Sequence, residues 1–235
     1  DIVIGAVAAT KNLAITTGSG ADDVNGSALV SAGDIISTGA GDDRITTAGG
    51  ADTVTGGAGD DTFEITTADG ANDVTVVTIT DFTAGASGDQ IELGETDVEL
   101  SSNIGDLVTG VPTTDMGAQA TLGVEEITKG TALTANAGDD IFILLGDSLA
   151  DTDAVETALE TGEWALTLGA APTANDAFLV VYTDGTDAYV ASAQTGGTTA
   201  DLAAADLTVD NLVKLSGISS LTSGLFVDAN FQMLA

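Results

Sequence analysis

The sequence predicts a mostly all-β protein: a parallel β-roll, built from short stacked strands, followed by a β-rich C-terminal region with one short helix. Three observations support this fold class. A nine-residue pattern of glycine, aspartate and a large apolar residue recurs in the first third of the chain. Short apolar segments separated by glycine and threonine follow it, and only one segment has helical periodicity. With 235 residues, 43% of them hydrophobic, the chain is long enough for one large core or two modest ones.

The repeat pattern is organised around five aspartates. Each is followed two positions later by a large apolar residue, and glycine or a small residue generally stands two and four positions before it. The first interval between aspartates is twelve residues and the next three are nine. The clearest copy, GGAGDDTFE at 56–64, fits the nonapeptide G-G-x-G-x-D-x-U-x at every fixed position. The candidate site residues are the aspartates Asp22, Asp34, Asp43, Asp52 and Asp61 and the turn glycines Gly39, Gly41, Gly50, Gly57 and Gly59.

One repeat combines a short strand with a glycine turn. Strand alternation sends the large apolar residue inward, and glycine permits the positive φ of a tight turn. Two repeats complete one flattened turn of the coil, so residues eighteen apart in the nine-residue blocks stack at about 4.8 Å. This stacking predicts Asp34 over Asp52 on one edge of the roll and Asp43 over Asp61 on the other.

Stacked carboxylates repel each other unless a cation lies between them. Carboxylate oxygens and the carbonyl oxygens of glycine turns are the donors that Ca²⁺ prefers, so the sequence predicts calcium as the bound ion. At about 1 mM calcium and a Kd of about 10⁻⁴ M, each site adds about 1.4 kcal/mol of stability. We therefore expect the repeats to be unfolded at cytosolic calcium and folded outside the cell. The alternative is that the aspartates only form turns through local hydrogen bonds.

A further half-copy of the pattern lies in NAGDDIF at 136–142, where Gly138, Asp140 and Phe142 occupy the matching positions. Asp140 is therefore an additional candidate calcium ligand, with a plain turn as the alternative reading.

The segments around the repeats divide the chain into three parts. Residues 1–17 are expected to form lead-in strands, residues 18–93 the roll with its closing edge, and residues 94–235 a β-rich assembly and secretion-signal region. Within the last part, the apolar segments predict short strands near 107–111, 120–127 and 140–145.

The C-terminal region also contains the helix and the clearest hairpin signal. Ser148 is expected to cap a helix that buries Val155, Ala158 and Leu159 and ends at Gly162. Asp184-Gly185, between the apolar segments 178–182 and 188–193, predicts a β-hairpin because glycine supplies positive φ.

Composition excludes several classes of function. With 37 acidic and four basic residues the net charge is −33, which excludes nucleic acid as a partner and disfavours anionic membranes. The absence of cysteine and histidine excludes disulfides, thiolate nucleophiles and imidazole chemistry. No segment approaches the ~20 apolar residues of a membrane span. Because the chain begins at Asp1 without methionine, we expect it to be a processed form or a C-terminal piece of a longer protein.

The repeats resemble the RTX repeats of bacterial proteins exported by type I secretion, and ITDFTAGASGDQIEL at 79–93 resembles the segment that closes an RTX β-roll. DNLVKLSGISSLTSGLF at 210–226, after FLVVYTDGTDAYVAS at 178–192, resembles the carboxyl ends of RTX-type surface-layer (S-layer) proteins of Gram-negative bacteria. The resemblance implies a calcium-bound roll, an uncleaved C-terminal secretion signal and a two-dimensional lattice on the cell surface. The family's turn glycine is replaced by Ala48 in one repeat, which puts the geometry of that turn in doubt.

Three functions follow as expectations. The first is a secreted, calcium-dependent coat protein that assembles with copies of itself on the bacterial surface and is anchored through a region outside this chain. The second is the calcium-binding export or folding tail of a type I secreted adhesin or exoenzyme. The third, an enzyme using pairs such as Glu125/Glu126 or Glu156/Glu160, is disfavoured, because carboxylate pairs arise by chance in so acidic a chain. We expect no enzymatic activity, and we expect Trp164 and Tyr189 to be core or interface anchors.

Overall fold

The computed structural model describes residues 2–3, 12–27, 33–47, 50–66, 76–94, 122–135, 140–167, 177–196 and 207–234. Two largely parallel sheets and one α-helix dominate these residues, as the sequence predicts. None of the helices in the described ranges is long and apolar enough to cross a bilayer. The predicted strand near 107–111 lies outside the described residues, as do Ala48 and Gly138.

The roll is built from nine short strands that alternate between the two sheets. The odd-numbered strands belong to a six-stranded sheet and the even-numbered strands to a nine-stranded sheet. Each strand pairs in parallel with the strand two places along the chain, which is the topology of a β-roll. The strands are β1 (Ile2–Val3), β2 (Ala14–Thr16), β3 (Asp23–Asn25), β4 (Ile35–Ala40), β5 (Arg44–Thr47), β6 (Thr53–Ala58), β7 (Thr62–Ile65), β8 (Val77–Ile79) and β9 (Gln90–Gly94).

The register confirms the predicted eighteen-residue repeat in the middle of the roll. Ile36 pairs with Val54 and Ile45 pairs with Phe63, each eighteen residues further on. The preceding turn is longer, because the twelve-residue interval places Val24 beside Ile45 at a separation of 21. The large apolar residue of every repeat points into a common interior and is at most 1% exposed. This interior, together with the apolar residues packed against it, is called the roll core.

The C-terminal region continues both sheets of the roll. Strand β16 pairs in parallel with β8, and β17 pairs in parallel with β9, so the two strands form one more turn. Strands β15, β14, β12 and β10 extend the nine-stranded sheet beyond β16, while β11 and β13 form a separate pair. The elements are β10 (Val124–Thr128), β11 (Ala132–Thr134), β12 (Ile141–Leu145), α1 (Thr152–Glu160), β13 (Ala165–Thr167), β14 (Ala177–Thr183), β15 (Ala188–Thr195), β16 (Leu207–Leu215), a 3₁₀ turn (Asp228–Asn230) and β17 (Phe231–Leu234).

The extended part of the nine-stranded sheet is buried on both faces. Alternate residues of β12 separate to opposite sides: Ile143 joins the roll core, and Leu144 joins a second cluster beneath the helix. This second cluster, here called the helix-side core, contains Val155 and the fully buried Trp164. A continuous run of apolar residues in β12 is therefore explained by burial on both faces of the strand.

The helix begins three residues later than the sequence suggested. Asp151, not Ser148, is the N-cap: it has extended backbone geometry, and its Oδ1 accepts the N–H of Ala154 at 2.9 Å. The prediction for Ser148 was wrong because the N–H of the next residue, Leu149, donates to the carbonyl oxygen of Thr183 at 2.8 Å, so this segment bonds to the end of β14 before the helix starts. The predicted end is confirmed by Gly162, which has a φ of +75°. The hairpin is confirmed as well, with Thr183 paired to Ala188 across the turn.

Candidate calcium site

A ladder of aspartates runs along the edge where the chain passes from the nine-stranded to the six-stranded sheet, here called the Asp22 edge. The N–H of Asp22 donates to Oδ1 of Asp43 at 2.7 Å, and the N–H of Asp43 donates to Oδ1 of Asp61 at 2.9 Å. The N–H of Asp61 donates in turn to Oδ1 of Asp89 at 2.9 Å. Each carboxylate therefore joins its own turn of the roll to the preceding one, and the predicted stacking of Asp43 over Asp61 is confirmed.

The opposite edge, here called the Asp34 edge, repeats the arrangement over fewer turns. The N–H of Leu13 donates to Oδ1 of Asp34 at 2.6 Å, and the N–H of Asp34 donates to Oδ1 of Asp52 at 2.8 Å. Asp34 and Asp52 are each 1% exposed. The predicted stacking of these two residues is also confirmed.

The turns between strands require glycine for two reasons. Gly39 and Gly57 have φ values of +110° and +113°, and the equivalent pair Gly41 and Gly59 have +132° and +141°. A Cβ on Gly57 would also lie 1.8 Å from the carbonyl oxygen of Gly39 in the turn above. Glycine therefore allows consecutive turns to stack with carbonyl oxygens packed between them. Gly50, on the other edge, has a φ of +124°.

One carboxylate oxygen on each edge is buried without a hydrogen bond. Oδ2 of Asp34 and Oδ2 of Asp43 have no hydrogen-bond partner within the described ranges, although Oδ1 of each accepts a backbone N–H. An ionised oxygen left unpaired in a buried position is strongly unfavourable unless a cation neutralises it. The residues present therefore fit calcium, which would be held by the repeat aspartates and by carbonyls of the glycine turns.

Carbonyl oxygens are needed because side chains alone do not form a cage. Across the described residues, no three Asp, Glu, His or Cys side chains converge on a point that could hold a metal ion. Calcium takes six to eight oxygen ligands and accepts backbone carbonyls readily. When bound, the ion would supply the positive charge that the stacked carboxylates lack.

Burial also raises the pKa of the ladder carboxyls. The pKa of Asp52 is raised to about 7 by burial, and the nearby Asp34 adds to this while the Asp34 N–H opposes it. The pKa of Asp61 is raised to about 6 by burial, again opposed by an N–H bond, with smaller contributions from Asp89 and other carboxylates. Burial likewise raises the pKa of Asp89. The roll without metal therefore holds these carboxylates in an environment that disfavours their charge.

Two aspartates of the closing segment belong to the site but were not singled out in the sequence. Asp89 continues the ladder, and its Oδ2 accepts the N–H of Thr83 at 2.7 Å. Asp81 accepts the N–H groups of Gly56 and Gly57 at 3.1 and 2.7 Å. A signal for Asp89 was present, because Ile91 follows it by two residues and Gly85 precedes it by four.

Asp140 lies apart from the other candidate residues, in the extended sheet. Its Oδ2 accepts the N–H of Gly123 at 2.9 Å, a contact of the same kind as those in the ladder. The half-copy is out of phase with the repeats, however, because Phe142 faces the helix-side core whereas Val54 and Phe63 face the roll core. The structure does not bring Asp140 together with the repeat aspartates.

Comparison with known proteins identifies the repeats. A family model described as the RTX calcium-binding nonapeptide repeat matches residues 31–63, in four copies. This segment contains Asp34, Asp43, Asp52 and Asp61 and therefore the central rungs of both edges. The chain thus carries RTX calcium-binding repeats, and calcium binding is what these repeats imply. No curated protein and no solved structure matches the chain.

Proposed function

We propose that this chain is a structural protein that is secreted by a bacterium, folds on calcium outside the cell and assembles with copies of itself into a surface layer. The observation that carries the calcium-dependent part is the stacked aspartate ladder with a buried, unpartnered oxygen on each edge. Such an arrangement is unfavourable without a cation and favourable with one. Folding is therefore coupled to the calcium concentration of the surroundings.

The distribution of charge supports a large response to calcium. The three basic residues that the structure describes are all engaged in ion pairs: Arg44 with Glu64 and Glu92, Lys129 with Asp147 and Glu163, and Lys214 with Asp187. The net charge of −33 therefore leaves a large excess of negative charge that opposes compaction and association. Divalent cations reduce both effects, which is compatible with a protein that stays dispersed until export.

The surface-layer assignment is supported by architecture as well as by the resemblance of the chain's carboxyl end. Because β16 pairs with β8 and β17 pairs with β9, the C-terminal region continues both sheets of the roll. A single body joined by continuous sheets, whose folding depends on calcium, is a suitable unit for a regular lattice. Attachment to the cell is assigned to a region outside this chain, consistent with an extracellular, cell-surface location.

A non-catalytic role is part of the proposal. Glu156 and Glu160, one of the two carboxylate pairs considered for catalysis, accept the N–H groups of Val209 and Leu207 at 2.7 and 2.9 Å. Their four-residue spacing along α1 matches the two-residue spacing along β16, so the helix covers a strand edge. This contact gives both carboxylates a structural task.

The second candidate is the calcium-folding export tail of a type I secreted adhesin or exoenzyme. This candidate is favoured because β16 and β17 close the last turn of the roll within this chain. A folding module of this kind can follow any upstream domain. In this reading the lattice contacts are absent, and the functional region lies outside the chain.

Electron microscopy of negatively stained protein separates the two candidates. The chain is treated with chelator, imaged, and imaged again after dialysis into millimolar calcium, with magnesium at the same concentration as the control. Ordered sheets that form with calcium alone support the surface-layer function. Compact, dispersed particles in calcium favour the export tail, and particles that are identical in both conditions contradict calcium-dependent folding altogether.

A further inference from the structure

We propose that Asn230 is a positioning residue that couples the last rung of the aspartate ladder to the C-terminal region, so that calcium folds the roll and the helix-side core in one transition. This inference rests on the proposed calcium-dependent folding. It concerns a residue outside the repeats and a part of the chain with no repeat aspartates.

The side chain of Asn230 is fully buried at the junction and uses its whole hydrogen-bonding capacity. Its Nδ2 donates to the carbonyl oxygens of Gly85 and Asp89 at 3.0 and 2.8 Å. Its Oδ1 accepts the N–H groups of Gly85 and Val227, both at 3.0 Å. An amide has two donor hydrogens and two acceptor lone pairs, so no other side chain of this size could make the same set.

The partners of Asn230 identify its role. Asp89 is the last aspartate of the Asp22 edge, and its two carboxylate oxygens accept the N–H groups of Asp61 and Thr83. Gly85 belongs to the loop that closes the same turn and has a φ of +118°. Asn230 therefore holds the backbone at both ends of the segment that presents the last carboxylate. Nearby, Gln90 Nε2 donates to the carbonyl oxygen of Ala229 at 3.2 Å and adds a second, exposed tie.

Apolar contacts carry the coupling into the C-terminal region. Successive rings of Phe63, Phe82, Phe226 and Phe231 lie 6.3, 6.1 and 5.7 Å apart, forming a row from β7 to β17. Phe63 belongs to the repeats and Phe231 to the last strand of the chain, yet all four rings lie in the roll core. Loss of order in the roll would therefore expose aromatic surface on the C-terminal strands as well.

The extended sheet transmits this order to the helix-side core. Val213 and Leu215 of β16 pack into the roll core, while Leu207 and Val209 of the same strand pack into the helix-side core. Strand β16 pairs with β8 on one side and β15 on the other. A strand that contributes to both cores and two neighbouring strands cannot lose one set of contacts without weakening the other.

Trp164 provides a selective probe of this coupling. It is the only tryptophan of the chain, it is fully buried in the helix-side core, and its Nε1 donates to the carbonyl oxygen of Leu145 at 3.0 Å. Its fluorescence reports the order of a region remote from the repeats. Far-UV circular dichroism instead reports total β structure, so the two signals together distinguish coupled from separate folding.

The experiment is a calcium titration of the chelated full chain, with both signals recorded on the same samples. Asn230→Ala removes the buried amide and leaves several backbone groups unpaired. We expect the equilibrium constant for docking of the C-terminal region onto the last turn of the roll to fall by roughly tenfold to a hundredfold. Asn25→Ala is the matched control, because it removes an asparagine with local hydrogen bonds at the far end of the roll. Gln90→Ala, which removes a single exposed bond, is the milder variant to use where Asn230→Ala does not fold.

In the native chain and in Asn25→Ala, we expect the circular dichroism and Trp164 midpoints to coincide. In Asn230→Ala we expect the Trp164 midpoint to move several-fold above the circular dichroism midpoint, with a smaller separation in Gln90→Ala. A shift of both signals together would show that Asn230 only adds general stability and would overturn its positioning role.

Two other outcomes separate this inference from the proposed function. If Trp164 is already buried in chelator while circular dichroism still responds to calcium, the inference is overturned and calcium-dependent folding of the roll stands. If neither signal responds to calcium in the native chain, the proposed function fails and the inference fails with it.

Discussion

Replacing Asp43 by asparagine tests whether the ladder binds calcium or only forms turns. Asp43 is 2% exposed, and its Oδ1 accepts the N–H of Asp22 at 2.7 Å. Its Oδ2 has no hydrogen-bond partner in the part of the chain that the structure describes. The amide keeps the size of the side chain and an acceptor for Asp22 but removes the negative charge. Above a Kd of about 10⁻⁴ M, each bound ion adds about 1.4 kcal/mol to the unfolding free energy per tenfold rise in calcium. We expect the variant to lose this increment for at least one ion.

The assay is urea unfolding at constant ionic strength, from about 1 to about 30 mM calcium, a range above the expected Kd. The slope of the unfolding free energy against the logarithm of calcium counts the ions taken up on folding. Asp210→Asn removes an exposed charge on β16 and is the control, for which we expect the native slope. If Asp43→Asn keeps the native slope and loses the same free energy at every calcium concentration, the residue is a turn former and the calcium interpretation of the ladder is refuted.

Three further predictions concern pH, turn stacking and the roll core. Burial raises the pKa of Asp52 to about 7 and that of Asp61 to about 6. The stability that these two carboxyls give the metal-free roll is therefore complete below the unfolded pKa of about 4. It is lost as the pH rises through 6 to 7. We expect chelated protein to gain β circular dichroism between pH 7.5 and 5, and an unchanged spectrum would contradict this. Gly57→Ala places a Cβ 1.8 Å from a backbone oxygen, whereas Gly85 has a similar φ but open space around it. We therefore expect Gly57→Ala to raise the calcium midpoint of folding more than Gly85→Ala does. Equal midpoints would argue against close stacking of the turns. Phe226→Ala should cost about 3–5 kcal/mol in urea unfolding, because its ring packs in the roll core against two others, and a loss below 1 kcal/mol would place it outside the core.

The repeat geometry was predictable because it is local and periodic. A fixed nine-residue spacing determines which residues stack, so the pairs Asp34/Asp52 and Asp43/Asp61 followed from counting alone. The inward direction of the apolar residue followed from the two-residue alternation of strands. Glycine at positive φ was predictable for the same reason, since the turn must reverse direction within a few residues.

The closing turn was harder to predict because its length breaks the period. Thr53 pairs with Thr78 at a separation of 25, and Thr62 pairs with Gln90 at a separation of 28. Because the insertions before β8 and β9 differ in length, no fixed residue spacing predicts that the aspartate ladder continues. Asp89 is recognised only once the strand pairing is known, although its local pattern of glycine, aspartate and isoleucine resembles a repeat.

The capping of the roll by the C-terminal region depends on contacts distant in sequence. Nothing local to β16 specifies that Val213 lies beside Val77, more than a hundred residues earlier. The same holds for the bonds from Asn230 to Gly85, which span 145 positions. Sequence patterns identified the strands and the hairpin. The pairing of β16 with β8 and of β17 with β9 depends instead on covering the exposed edges of the two sheets of the roll.

The two edges of the roll differ in a way that sets where calcium can act. Among the described residues, the ladder on the Asp22 edge continues through the irregular turn to Asp89, whereas the last aspartate of the ladder on the Asp34 edge is Asp52. The N–H of Thr78 donates to the carbonyl oxygen of Asp52, as that of Thr53 does to Asp34, so the residue before Thr78 occupies the next aspartate position. That residue is Val77, which is 2% exposed and packs in the roll core. The side chain of valine neither repels a neighbouring carboxylate nor binds a cation, so stacking beyond Asp52 depends on apolar burial. We therefore expect calcium to stabilise more turns on the Asp22 edge, which is also the edge where Asn230 ties the ladder to the C-terminal strands.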